Sequence, residues 1–115
     1  MISHLSIDID EAERVIAAAA AQAQAMGVPQ NIAIVDAAGH LVAFRRMDGA
    51  KFVSIEIALA KAVTAAGARK ATADIMPATL PGQPGFGIQN LLGGRFTTLG
   101  GGIPLLSGTS VVGAI

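Results

Sequence analysis

From Asp8 to Met26 the apolar positions recur at helical spacing, with Ile9, Ala12, Ile16, Ala19, Ala20 and Ala23 on one stripe. Asp8 followed three residues later by Glu11 forms a capping box, acids fill the first turn, and Gly27 and Pro29 bring the helix to a stop. The period then changes. Asn31–Asp36 is a β-branched run and Leu41–Met47 a second strand-like segment, and between them Ala37-Ala38-Gly39-His40 supplies a glycine for positive φ. This reads as a hairpin. Asp48-Gly49 ends it with turn chemistry, and Ser54–Ala66 returns to helical spacing through Ile55, Ala58, Leu59, Ala62 and Ala66, closed by Gly67.

The remainder is less regular. Thr72–Met76 predicts a short helix, and Pro77, Pro81, Gly82, Pro84, Gly85 and Gly87 keep the next segment irregular. Phe96–Leu99 is a candidate strand. After Gly100-Gly101-Gly102, the segments Ile103–Leu106 and Val111–Ile115 flank the turn Ser107–Ser110 and predict a second hairpin. Helix, two strands, helix, irregular segment and about three strands describe an α+β domain with an antiparallel sheet. No internal repeat at solenoid periods is present.

Composition narrows the classes. A chain of 115 residues suits one domain. Eight basic and eight acidic residues cancel, which gives no footprint for nucleic acid and no basic face for an anionic membrane. The absence of cysteine excludes disulfides, thiolate metal sites and cysteine nucleophiles, and fits a reducing compartment, so a cytoplasmic location is expected. No run of about eighteen apolar residues escapes interruption by a charge, Gly or Pro. Asp8, Asp10, Glu11 and Glu13 near the N-terminus oppose the basic start of a secretory signal. So few charges, with no Trp or Tyr, leave an apolar surface that a homo-oligomer would cover.

Five segments carry a family likeness: Val35-Asp36-Ala-Ala-Gly39-His40-Leu41-Val42, Arg46-Met47-Asp48-Gly49-Ala50 with Ser54, Ala60-Lys61-Ala62-x-Thr64-Ala65, Gly100-Gly-Gly-Ile-Pro104, and Val111-Val-Gly113-Ala114-Ile115. In this order and spacing the chain resembles the GlcG/HbpS family of haem-binding or haem-degrading domains, which includes the C-terminal domain of PduO-type corrinoid adenosyltransferases. The resemblance implies a single domain over 1–115 with a five-stranded antiparallel sheet flanked by helices, profilin-like, assembling into homo-oligomers, some members binding haem. Members usually continue past the last strand with a Gly-Val-Ser-Gly-Gly loop and a C-terminal helix. The present sequence ends at Ile115, so a site that uses that loop is expected to be altered or completed by a second chain.

Haem requires an axial donor, an apolar slot and a cation for its propionates. The donors are His40 in the hairpin turn, His4 in an N-terminal segment expected to be mobile and therefore a weaker donor, and the methionines, of which Met47 sits beside Arg46; the ordinary roles are a solvated turn histidine and a core-filling methionine. No histidine spacing indicates a metal site. Arg45 and Arg46 are consecutive on a strand and point to opposite faces, so one is expected to line a cleft and the other to be structural, or paired with Asp48. Arg95, after Gly93-Gly94, is a further cation for an anionic ligand. Lys61 lies among small apolar residues, where it either snorkels or acts as a base or nucleophile. Asp36 caps the turn or binds ligand, and the Gly101 loop either cradles an anion or permits tight packing. Three functions follow. A small-molecule-binding domain would use Asp36, His40, Arg45, Arg46, Met47, Ser54, Lys61, Arg95 and Gly101. A metal-independent enzyme would act on a small carboxylate with Lys61, Asp48 and Thr64 as catalytic candidates. An accessory or structural subunit would pair its Val111–Ile115 strand with another chain.

Overall fold

A computed structural model describes all residues, 1–115. Helix α1 (Ile9–Met26) starts as its caps dictate: the Asp8 carboxylate accepts from the Glu11 N–H at 2.9 Å, and Gly27 ends the helix at φ 71°. Its stripe is set slightly differently from the expectation. Ala12, Ile16 and Ala23 are buried while Ile9 is exposed, because Ile7, just before the cap, takes the core position.

Strands β1 (Asn31–Asp36) and β2 (Leu41–Arg46) form the first hairpin, and β3 (Pro104–Ser107) and β4 (Ser110–Ala114) the second. All pairs are antiparallel, in the order β2-β1-β4-β3. Between the hairpins, helix α2 (Val53–Ala68) and the one-turn helix α3 (Thr72–Ile75) precede three short 3₁₀ turns, Met76–Thr79, Ile88–Asn90 and Leu92–Gly94. Helix α2 runs through Gly67 and ends at Arg69 in the left-handed region (φ 56°), so the glycine expected to close it lies inside.

Period-two alternation in β1 sorts its side chains into two cores. Ile32 and Ile34 pack with Ile7, Ala12 and Ile16 under α1; Ala33 and Val35 pack with Ala62, Ala65 and Ala66 of α2 and Ala114 of β4. The sheet therefore lies between α1 and α2. Small side chains on both helices permit this close approach, and truncating fully buried Ile34 to alanine would cost about 2–5 kcal/mol.

The sheet has four strands where the family likeness implied five, and Phe96–Leu99 is not one of them. Three of its backbone groups are bonded by threonine hydroxyls. The Thr97 N–H donates to Thr64 Oγ1 at 2.9 Å, the Leu99 N–H to Thr97 Oγ1 at 3.2 Å, and Leu99 O accepts from Thr72 Oγ1 at 2.7 Å. These bonds take the place of ladder contacts at Thr97 and Leu99. Gly113 is fixed by close approach: a Cβ there would collide with the Val35 carbonyl and Ile7 Cγ2.

Two substitutions test this layout. Thr64→Val keeps the shape but leaves the Thr97 N–H without its acceptor, and should lower unfolding free energy by about 1–3 kcal/mol. Gly113→Ala should cost about 1–3 kcal/mol by overpacking. Urea unfolding measures both, and a midpoint unchanged in either variant would contradict the contacts described.

Candidate functional site

Three clefts receive the residues singled out from the sequence, and they do not form one site. The first, about 710 Å³, lies between the C-terminal half of α1 and the end of β2 and is lined by Arg45, Arg46, Met47 and Asp48 against Ala17, Ala20 and Gln24. Both arginines border it, although alternation was expected to admit only one. Strand β2 is an edge strand, so a cleft wrapping its free edge reaches side chains from both faces. Met47 is engaged there: its Sδ accepts from the Gln30 N–H at 3.4 Å.

The second cleft, about 270 Å³, opens between β1 and α2. Asn31, Ser54, Lys61 and Gly101 line it together with Ile57 and Ile115. It lies beside the Asn31–Ile34 part of β1, while β4 registers with β1 at Val35–Ala114 and Asp36–Gly113. Position 101 needs glycine for two reasons, a φ of 122° and a Cβ position only 3.1 Å from Lys61 Nζ.

The third cleft, about 680 Å³, is built from four separate parts of the chain. The N-terminal segment brings Ser3, His4 and Leu5; the first hairpin turn brings Ala37 and Ala38; α2 and its cap bring Ala66 and Arg69; the second hairpin brings Leu106, Thr109, Ser110 and Val111. The N-terminal segment is tied down by the Ile7 N–H to Val112 O at 2.8 Å and by the Ala37 N–H to Ser6 Oγ at 3.1 Å. His4 and Arg69 stand exposed at its rim.

The remaining candidates have structural partners. Asp36 Oδ1 accepts from the N–H groups of Ala38 and His40, each at 2.9 Å, and so holds the turn. His40 points outward with an 82 % exposed side chain, its Nδ1 3.8 Å from Asp36 Oδ2, the only acidic–basic side-chain contact within 4.0 Å. Thr64 is fully buried, donates to Ala60 O at 2.8 Å and accepts from Thr97, which places its hydroxyl in the packing between α2 and the irregular segment. Arg95 folds back, Nε donating to Leu92 O at 3.1 Å. Thus Arg45, Arg46, Met47 and Asp48 come together, Ser54, Lys61 and Gly101 come together, and Asp36, His40, Thr64 and Arg95 join neither group. Asn31 and Arg69 were not singled out from the sequence. Their signal is spatial: a strand-end amide facing a gap, and a helix-cap arginine next to a hairpin about forty residues further on.

Comparison with known proteins is consistent along the chain. The family model described as haem degrading protein HbpS-like matches residues 7–115. An uncharacterised protein of the dhaT-dhaS intergenic region of Citrobacter freundii is 34 % identical over 110 residues, 96 % of this chain and 78 % of that protein. The corrinoid adenosyltransferase PduO of the same organism is 36 % identical over 101 residues, 88 % of this chain but only 30 % of that protein. Among solved structures, Klebsiella pneumoniae ORFY superposes with a TM-score of 0.96 at 31 % identity, covering 99 % of this chain and 79 % of that one. A PduOC:heme complex superposes with a TM-score of 0.89 at 32 % identity over 96 % of this chain and 80 % of the other.

The role of Asp36 is checked by substitution. Asp36→Ala removes the acceptor for two turn N–H groups and should cost about 1–2 kcal/mol, whereas Asp36→Asn keeps an oxygen in place and should cost little. Equal unfolding midpoints for the two variants would contradict a turn-capping carboxylate.

Proposed function

The chain belongs to the HbpS-like family, and from that membership we propose that it binds haem or a related planar tetrapyrrole in the cleft of about 680 Å³ between its N-terminal segment and its two hairpin turns. The observation that carries this reading is a donor set: His4 imidazole, Arg69 guanidinium and the apolar surface of Leu5, Leu106 and Val111 meet there. These are the axial donor, the propionate partner and the slot that a haem requires. A relative solved as a PduOC:heme complex supports the choice of ligand.

The other clefts suit haem less well. That of Arg45 and Arg46 offers cations but no imidazole, and its thioether already accepts a hydrogen bond. That of Lys61, at about 270 Å³, falls below the usual size of a cofactor pocket. Bound in the His4 cleft, haem would supply redox or gas-binding chemistry at its iron, while this chain's residues bind and orient it. The metal-independent enzyme finds less support, since Asp48 lies apart from Lys61 and the Thr64 hydroxyl is occupied. Homo-oligomer formation belongs to the same reading. Only 18 of 115 residues are buried in one chain, and Phe52, Phe86, Leu91 and Leu92 stand exposed, as expected of a subunit that packs against copies of itself.

Titration with hemin should give a saturable, shifted Soret band. His4→Ala should move the band and weaken binding about tenfold or more, Arg69→Ala should weaken it about three- to tenfold, and His40→Ala and Met47→Leu should leave it unchanged. An unshifted spectrum at micromolar concentrations, or full binding by His4→Ala, would remove the assignment.

A further inference from the structure

Strand β2 has a neighbouring strand on one side only. The Met47 N–H donates to Gln30 O and the register runs from Asn31–Arg46 to Ile34–Ala43, so Ala43 and Arg45 turn their N–H and C=O groups toward β1 while Phe44 and Arg46 turn theirs away. No backbone group of residues 41–46 joins a backbone hydrogen bond outside that ladder. The other edge of the sheet is different: β3 is four residues long and begins with Pro104, which has no N–H to offer. Strand β2 is six residues long without a proline, and Leu41–Phe44 is apolar. It is an open template for a further strand.

Charge gathers at one end of this edge. Arg45 and Arg46 both line the cleft of about 710 Å³ beside it, and neither guanidinium has a carboxylate within 4.0 Å. Asp48, the one acid in the cleft, stays apart from both. The floor against α1 carries no charge and is made of Ala17, Ala20 and Ala21, with Val28 at its side. Arg45 pairs with Ile32, which is buried under α1, so its side chain leaves the sheet on the α1 face and that of Arg46 on the other. Cations therefore stand on both faces of the sheet at the place where an added strand would end.

We propose that the free edge of β2 binds an extended peptide as an added strand, its backbone paired with Phe44 and Arg46, an apolar side chain on the alanine floor of the cleft and an acidic side chain against the arginines. In such additions the main-chain bonds give affinity and the side-chain pockets select the sequence. Two cations against one acid select a carboxylate, which a guanidinium grips through paired hydrogen bonds. A neutral or basic peptide leaves that charge unmet. A second copy of this chain fits less well: antiparallel pairing of two β2 strands about their centre would set Arg45 opposite Val42 and Arg46 opposite Leu41, and would supply neither with a carboxylate. The site shares no lining residue with the His4 cleft and does not rest on haem binding.

The probe is the capped peptide acetyl-Thr-Val-Thr-Leu-Glu-Leu-amide, apolar on one face and acidic near one end. Followed by amide shifts, it should saturate wild-type protein with a Kd of about 0.1 mM or tighter, perturb Phe44 and Arg46, and slow the exchange of their N–H groups. Gln in place of its Glu should weaken binding about fivefold or more, as should Arg46→Gln, and Ala17→Phe, which fills the cleft, should weaken it about tenfold or more. Hemin titration of each variant should match wild type. A strand bonds its neighbour along one edge, so N-methylation of alternate peptide residues should abolish binding in one of the two patterns and spare it in the other. Any of the following would overturn the proposal: no saturation by about 1 mM peptide, the Gln peptide or acetyl-Glu-amide binding as well as the probe, both methylation patterns acting alike, undiminished binding by Arg46→Gln or Ala17→Phe, or Phe44 and Arg46 amides already protected in the free protein, which would mark β2 as covered by a second copy. The comparison of peptides on wild-type protein decides the matter even if a variant fails to fold.

Discussion

Burial of β1 on both faces is the constraint on which the rest of the molecule depends. Residues Asn31 to Val35 are all buried, an arrangement usual for a central strand and costly to leave uncovered. Each face needs a helix, and α1 and α2 meet that need with alanine-rich surfaces that bring the helix axes close to the sheet. The clefts lie where this covering stops: at the C-terminal end of α1, beyond the edge of β2, and along the half of β1 that β4 does not reach. The same strand that organises the core thus delimits the places where a ligand can approach it.

Threonine performs the corresponding task in the irregular half. Thr64, Thr72 and Thr79 are buried, and each hydroxyl donates to a backbone carbonyl. Thr64 and Thr72 also accept a backbone N–H, from Thr97 and Gly102. A proline- and glycine-rich segment cannot satisfy its own backbone through a continuous ladder, and side-chain hydroxyls from neighbouring helices substitute for it. The result is a wall that keeps the Gly101 loop against Lys61, so packing in a region without regular structure determines where a charge is presented.

Local signals in the sequence correspond closely to local structure. Asp8 and Gly27 delimit α1, Gly39 and Asp36 shape the first turn, and Gly108, at φ 60°, shapes the second. Elements governed by distant contacts were less legible. Phe96–Leu99 has strand-like residues, but two of the three hydroxyls that bond its backbone come from residues 64 and 72, too far away in sequence for any local pattern to reveal. The clefts follow the same rule. Arg45 to Asp48 are neighbours in sequence and stay neighbours in space, whereas the cleft of His4 and Arg69 draws on segments spread over most of the chain.

The charges themselves explain why the chemistry concentrates in so few places. His40 beside Asp36 is the only contact within 4.0 Å between an acidic and a basic side chain, so the lysines and arginines have no carboxylate partner, and a cation that faces a cleft keeps its charge available for a ligand. Arg69 does so from a helix cap in the left-handed conformation, a placement that sets its side chain at the end of α2 and beside the second hairpin. Lys61 does so from the middle of the same helix, facing the opposite end of the sheet. One helix therefore supplies a cation to each of two clefts, and because α2 is locked to β1 through Ala62, Ala65 and Ala66, the distance between those cations is set by the core.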